Sequence, residues 1–286
     1  MNRFEPAQTS VQMALTGFRS LAKIGAGSQK IVFRAERNDG NVCAVKLYPV
    51  DTVQRGSRAE REIQAITAVT GPQFATFHGM RRLPIEGVEF VVIEEEFIDG
   101  DTLKSRMSGT PLPISFVRHL GGQLLEALRV IEACRLVHRD IKPDNVMISS
   151  ADRVVVIDFG IVRHLDESSL TATWAPRGPM TLAYAAPEQV SNDKAAIAIR
   201  TDLYAMGLVL YEAATGFNPI TTGVSRDTIP GRILTHSPEE LARVRPDVPA
   251  EFSRFVHRLV EKQAHRRPQT VQAARQLFDR IQWSSL

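Results

Sequence analysis

The stretch His138-Arg139-Asp140-Ile141-Lys142-Pro143-Asp144-Asn145 constrains this chain more than any other. It gathers cations, carboxylates and an amide into one short loop, and the pattern on either side is ordered. Before it, residues 113–133 carry Phe116, Val117, Leu120, Leu124, Leu128 and Ile131 at near-helical spacing. After it, the apolar runs Val146-Met147-Ile148 and Val154-Val155-Val156-Ile157 read as two short strands. The second strand leads into Asp158-Phe159-Gly160. That tripeptide alone is bland. At a strand end, thirteen residues beyond Asn145, it is not.

The rest of the chain divides by its periodicity. Residues 18–25 read as a strand leading into a glycine-rich turn, and Ile31-Val32-Phe33-Arg34-Ala35 continues in β pattern. Asn38-Asp39-Gly40 signals a hairpin before a β-rich run over 42–47. Ile63, Ile66 and Val69 among charged positions predict one helix over 53–69, and strands follow over 74–81 and 88–97. From about residue 102 the pattern turns helical, with a buried helix over 203–214 and an amphipathic one over 252–260. The Ser-, Thr- and charge-rich stretch 163–177 reads as a mobile loop. The expectation is a small antiparallel sheet carrying one helix, joined to a larger helical lobe.

Composition narrows the setting. A chain of 286 residues holds one large domain or two lobes, and 43% apolar with 23% charged residues suits a globular protein. A net charge of +3, from 35 basic and 32 acidic residues, is too small to argue for a nucleic-acid partner. Cys43 and Cys134 lack metal-ligand spacing and read as reduced residues, which favours the cytoplasm. No run approaches a membrane span, and residues 1–20 lack the apolar stretch of a signal peptide.

Taken in order, these motifs resemble the signature set of the protein kinase family (Hanks-type) over about residues 18–278. The resemblance implies an α+β, bilobal fold: an N-terminal extension over 1–17, a small lobe over 18–97, a hinge over 96–101 and a large helical lobe over 102–286. It identifies Gly25, Ala26 and Gly27, with Val32 beyond, as the phosphate-covering loop, with Lys30 where the family has a third glycine. Lys46 in Ala44-Val45-Lys46 would bind the α and β phosphates of ATP and pair with Glu62, or alternatively Glu60. Asp140 would accept the substrate hydroxyl proton, and Lys142 would face the γ-phosphate. Asn145 and Asp158 would bind Mg²⁺, for which Mn²⁺ could substitute. Glu96 and Ile98 would offer backbone groups to adenine, and Val32, Ala44 and Met147 would sandwich the ring. Glu95 stands where the family usually has an apolar residue or threonine, while Met180 and Arg135 stand where glycines are common. Among architectural residues, Glu188 of Ala186-Pro187-Glu188 would pair with Arg267, Asp202 would support the catalytic loop, and Thr181 would contact Asp140 and Lys142.

Lys142, two positions past Asp140, is the serine/threonine-type pattern. The implied activity is transfer of the ATP γ-phosphate to Ser or Thr of protein substrates. Arg139 beside Asp140 implies control by phosphorylation of Ser168, Ser169, Thr171 or Thr173, held by Arg139 with Arg55, Arg58 or Arg61, with self-association allowing autophosphorylation. The wording of the motifs resembles bacterial kinases, either as a stand-alone enzyme or as the catalytic domain of a longer one. Two other readings compete. A pseudokinase would explain Lys30, Glu95 and Met180, but would not need Lys46, Asp140, Asn145 and Asp158 together. A small-molecule phosphotransferase related to aminoglycoside kinases would typically lack Ala186-Pro187-Glu188.

Overall fold

Alternating side chains build the first of two compact units. The computed structural model describes residues 5–26, 30–50, 67, 69–158, 182–193 and 195–283. Of the described residues, those within 5–70 and 75–99 form the first unit, and those within 71–74, 100–158 and 182–283 the second. The first holds a five-stranded antiparallel sheet in the order β1-β2-β3-β5-β4: β1 (Phe18–Ala26), β2 (Ile31–Arg37), β3 (Val42–Pro49), β4 (Phe77–Ile85) and β5 (Val88–Glu96). The hairpin expected at Asn38-Asp39-Gly40 joins β2 to β3. Gly40 takes a φ of 89°, which an L side chain rarely adopts, and Asp39 Oδ1 accepts the Asn41 N–H at 2.9 Å. The helix expected over 53–69 lies, but for Thr67 and Val69, outside the described residues.

Strand period two gives this sheet two different faces. Cys43, Val45 and Leu47 join Ile31, Phe33, Ala35, Phe90 and Val92 in the apolar core. Ala44, Lys46 and Tyr48 point to the opposite face, where β3 and β5 pair Ala44 with Glu95, Lys46 with Ile93 and Tyr48 with Val91.

The core also reaches upstream of Phe18. Helix α1 (Gln8–Ala14) and the residue after it bury Val11 and Leu15 completely in the same cluster. Polar contacts fasten the helix: Gln8 Nε2 donates to Leu21 O at 2.9 Å, Gln12 Nε2 to Phe18 O at 2.9 Å, and Ser10 Oγ to Glu86 Oε1 at 2.5 Å. Motif matching therefore starts at Phe18, whereas packing starts earlier.

The second unit is mainly helical. A three-stranded sheet in the order β6 (Gly100–Thr102), β7 (Val146–Ser149) and β8 (Val154–Val156) accompanies α2 (Leu103–Met107), α3 (Ile114–Ala133), α4 (Pro187–Val190), α5 (Ile199–Thr215), α6 (Ile229–Thr235), α7 (Leu241–Val244), α8 (Ala250–Leu259) and α9 (Val271–Asp279). Phe74, expected at a strand start, instead bridges to Val156, with the Val156 N–H donating to Gln73 O at 2.8 Å. The hydrogen bonding of Gln73 and Phe74 thus goes to the second unit, and β4 begins only at Phe77. Helix α5 is apolar on nearly every side because it is buried on nearly every side, packed by α3 and α8. Gly207 permits that approach: a Cβ there would lie 2.8 Å from Leu259 Cβ and from Val260 Cγ1. Among the described residues, no helix is long and apolar enough to cross a membrane.

Candidate active site

The residues singled out by the sequence fall on both units, and each group has its own geometry. In the second unit the octapeptide lies between α3 and β7, and its shape is set from below by α5. Asp202, on the first turn of α5, is fully buried and accepts two backbone hydrogen bonds, from the His138 N–H at 2.7 Å and the Arg139 N–H at 2.7 Å. Burial pushes Asp202 up to about 7, while those two donors and the Arg139 charge pull the other way. Burial likewise drives the His138 imidazole down to about 4, so this ring is a neutral packing group at pH 7. Arg139 sits at a φ of 65°, a left-handed conformation unusual for a side-chain-bearing residue, and the two bonds to Asp202 flank it.

On this support the loop turns back on itself. Lys142 Nζ lies 3.0 Å from Asp140 Oδ2. Asn145 Nδ2 donates to Asp140 O at 2.9 Å and to Asp140 Oδ2 at 3.0 Å. The turn over Pro143–Asn145 makes this reach possible, with the Asn145 N–H donating to Lys142 O at 2.9 Å. Asp140 and Lys142 keep about a fifth of their side-chain surface, 20% each, whereas Asn145 is buried. Strand pairing adds Asp158: Val146 pairs with Val156, and the Ile157 N–H donates to Asn145 O at 2.9 Å. Asp158, the next residue, has a φ of 62° that breaks the strand direction. Asp140, Lys142, Asn145 and Asp158 are thus gathered by one loop and one two-stranded ladder.

A second support comes from residues 186–189. Glu188 and Arg267 form a two-bond ion pair, and Thr201 Oγ1 donates to Glu188 Oε1 at 2.8 Å. Burial alone would raise Glu188, but the Arg267 hydrogen bonds and charge outweigh it and hold the carboxyl below its ordinary value. Gln189 Nε2 donates to Arg139 O at 3.0 Å and so ties α4 to the loop that carries Asp140.

In the first unit, Val32, Ala44 and Lys46 lie on the sheet face opposite the apolar core. Lys46 is buried, and its ammonium forms an ion pair with Glu95. Gly25 and Ala26 end β1 opposite Val32 and Ile31. Glu96 is held to Thr76, whose O accepts the Glu96 N–H at 2.8 Å and whose N–H donates to Glu96 Oε2 at 3.1 Å. Ile98 is buried, and Met147, on β7, belongs to the second unit.

Residues 18–278 match the protein kinase domain family. The chain belongs to the protein kinase family. Among its relatives, a probable serine/threonine-protein kinase of Thermomonospora curvata is 33% identical over 278 residues, 96% of this chain and 35% of the relative. A probable serine/threonine-protein kinase of Lactococcus lactis is 29% identical over 252 residues, covering 86% of this chain and 39% of the relative. Serine/threonine-protein kinase PknD of Mycobacterium tuberculosis is 30% identical over 235 residues, 80% of this chain and 34% of the relative. The resemblance to bacterial serine/threonine kinases is therefore upheld, and this kinase domain spans little more than a third of the length of those relatives.

Several residues assigned from the motifs lie outside the described part of the kinase domain: Gly27, Glu60, Glu62, Met180, Thr181, the phosphorylation candidates Ser168, Ser169, Thr171 and Thr173, and the arginines Arg55, Arg58 and Arg61. Motif reading also passed over contributors that only folding reveals. Gln189 has no signal of its own beyond following Glu188. Tyr184, Lys104 and Asn218 surround the buried Glu212: the Tyr184 hydroxyl donates to Glu212 Oε2, Lys104 Nζ to Oε1 at 3.0 Å, and Asn218 Nδ2 to Oε2 at 3.4 Å. Glu95 was legible as a departure from the family pattern, but its contact with Lys46 was not.

Proposed function

We propose that this domain transfers the γ-phosphoryl group of ATP to serine or threonine hydroxyls of protein substrates, using Mg²⁺. The observation that carries the reading is the double hold on Asp140 Oδ2, 3.0 Å from both Lys142 Nζ and Asn145 Nδ2. A carboxylate held in this way can orient an incoming hydroxyl and accept its proton as the new O–P bond forms and the bond from Pγ to the β–γ bridging oxygen breaks. Lys142 stands where positive charge would offset the charge on the transferring phosphoryl, and Lys46 would bind the α and β phosphates. ADP then departs with the bridging oxygen, and the proton rests on Asp140.

The donor chemistry fits the metal. Asn145 commits its amide nitrogen to Asp140, which leaves the amide oxygen as the donor that would hold Mg²⁺ together with the Asp158 carboxylate. Two hard oxygen donors suit an ion that takes much of its remaining coordination from water and phosphates. When bound, the ion supplies positive charge to the phosphate oxygens.

Autophosphorylation at Ser168, Ser169, Thr171 or Thr173, in trans between two copies, is the regulation that Arg139 supports. The free thiols of Cys43 and Cys134 support a reducing compartment, the cytoplasm.

The test is incubation of the purified chain with Mg²⁺ and labelled ATP, read by intact mass and phosphopeptide mapping, with a generic protein substrate and with Asp140→Asn alongside. Phosphate should appear on Ser or Thr, and turnover should fall at least about a hundredfold in Asp140→Asn with nucleotide binding retained. Binding of nucleotide without any transfer would favour a pseudokinase. Transfer to aminoglycosides but not to proteins would favour a small-molecule phosphotransferase.

A further inference from the structure

The Glu95–Lys46 pair follows from sheet register. Ala44 and Glu95 face each other across β3 and β5, and Lys46 is two residues along β3 on the same face. The cross-strand diagonal is within reach of two long side chains, and the single methyl of Ala44 leaves room for the carboxylate to lean toward the ammonium. Glu94 takes the other face, where it pairs with Arg37 at 2.5 Å and with Arg81. Both members of the Glu95–Lys46 pair are well covered, with side chains 18% and 6% exposed, so water screens their attraction far less than at a surface.

We propose that Glu95 is a positioning residue that competes with nucleotide phosphates for Lys46 and thereby raises the ATP concentration the kinase requires. This inference rests on the reading of Lys46 as the phosphate-binding lysine. A phosphate oxygen that approaches Lys46 must share the ammonium with a carboxylate or displace it, and it meets like charge in doing so. An apolar residue or threonine at position 95, as the family usually has, would present neither obstacle.

The experiment measures binding of ADP and of adenosine by calorimetry, and KM for ATP, on the full chain and on Glu95→Gln, Glu95→Thr, Lys46→Met and Lys46→Met/Glu95→Gln. Glutamine keeps the shape of Glu95 and removes only its charge; threonine is the second variant should glutamine fold poorly, with thermal melts as the check. We expect Glu95→Gln to tighten ADP and lower KM for ATP by about fivefold to tenfold, with kcat moving less than KM. Adenosine, which carries no phosphate, should bind Glu95→Gln and wild type alike, and the gain for ADP should vanish on the Lys46→Met background. Unchanged or weaker ADP binding in both Glu95 variants overturns the proposal. So does an equal gain for adenosine, or a gain that persists without Lys46. A wild type that binds neither ADP nor ATP instead removes the kinase reading itself, and this inference with it.

Discussion

Arg267 donates from Nη1 to Glu188 Oε1 at 2.7 Å and from Nη2 to Glu188 Oε2 at 2.9 Å, joining positions 79 apart in the chain. The guanidinium is fully buried and has further work: Nε donates to Glu261 O at 2.7 Å, and the group stacks 4.7 Å from the centre of the Tyr204 ring. Every donor that faces protein is satisfied by a carboxylate or a carbonyl, which is the condition for a buried ion pair to hold together.

Removing one end should therefore be severe. Arg267→Met leaves a buried carboxylate without its counter-charge, held only by neutral donors such as the Thr201 hydroxyl, and stability should fall by about 3–5 kcal/mol in urea titrations. The double variant Arg267→Met/Glu188→Leu should recover part of that loss, because neither charge then remains buried. A single variant as stable as wild type would show that the bridge is incidental.

The same pair sets a pH response. Glu188 is held below its ordinary value of 4.5 in the folded chain. Its contribution is therefore fully present above the unfolded value, and it is lost as pH falls through the lower folded one. Denaturant midpoints taken from pH 6 down to pH 3 should drop more steeply for wild type than for Glu188→Gln in that acidic window. Parallel curves would rule out this linkage.

Asp202 makes a different prediction, since it is fully buried and holds the backbone of the loop that carries Asp140. Asp202→Asn replaces one acceptor oxygen with an NH₂ group set against a buried backbone N–H. That should destabilise the fold by about 1–3 kcal/mol and loosen the loop that carries Asp140. We expect kcat to fall at least about tenfold while ADP affinity changes by less than about twofold. Unimpaired turnover would show that Asp202 is not needed to position Asp140.

Leu15 tests how far the small lobe extends. It precedes the residues that match the kinase family, yet it is completely buried in the sheet core with Val11. Leu15→Ala should lower stability by about 2–5 kcal/mol, the range for truncating a buried leucine. A loss below about 0.5 kcal/mol, as for a surface residue, would show that α1 is a removable appendage.

The sheet strands, the helix α3 and the buried helix α5 were legible because each carries its own pattern: period two for strands, near 3.6 for α3, and apolar on nearly every side over 203–214 of α5. Their ends were less legible. The strand expected over 74–81 shifted because Gln73 and Phe74 bond to Val156, 82 or more residues along the chain and within the same second unit, a preference that no local pattern encodes. The buried helix expected over 203–214 grew to Ile199–Thr215, since its first turn contains Thr201 and Asp202, polar residues whose partners are Glu188 and the backbone of His138 and Arg139.

What the sequence determined by itself is the family and the chemistry on offer: a loop with Asp140, Lys142 and Asn145, a strand ending in Asp158, and a lysine on a β-rich run. Those are local statements, because each motif needs particular atoms at a short spacing. Tertiary structure alone decided which of the available partners each group takes. It set Glu95 against Lys46 through the register of β3 and β5, put Gln189 on Arg139 O, and drew Val11 and Leu15 into the sheet core. Each of these depends on which distant segment comes to lie beside the residue, and that is settled by burial and by backbone hydrogen bonding summed over a whole unit.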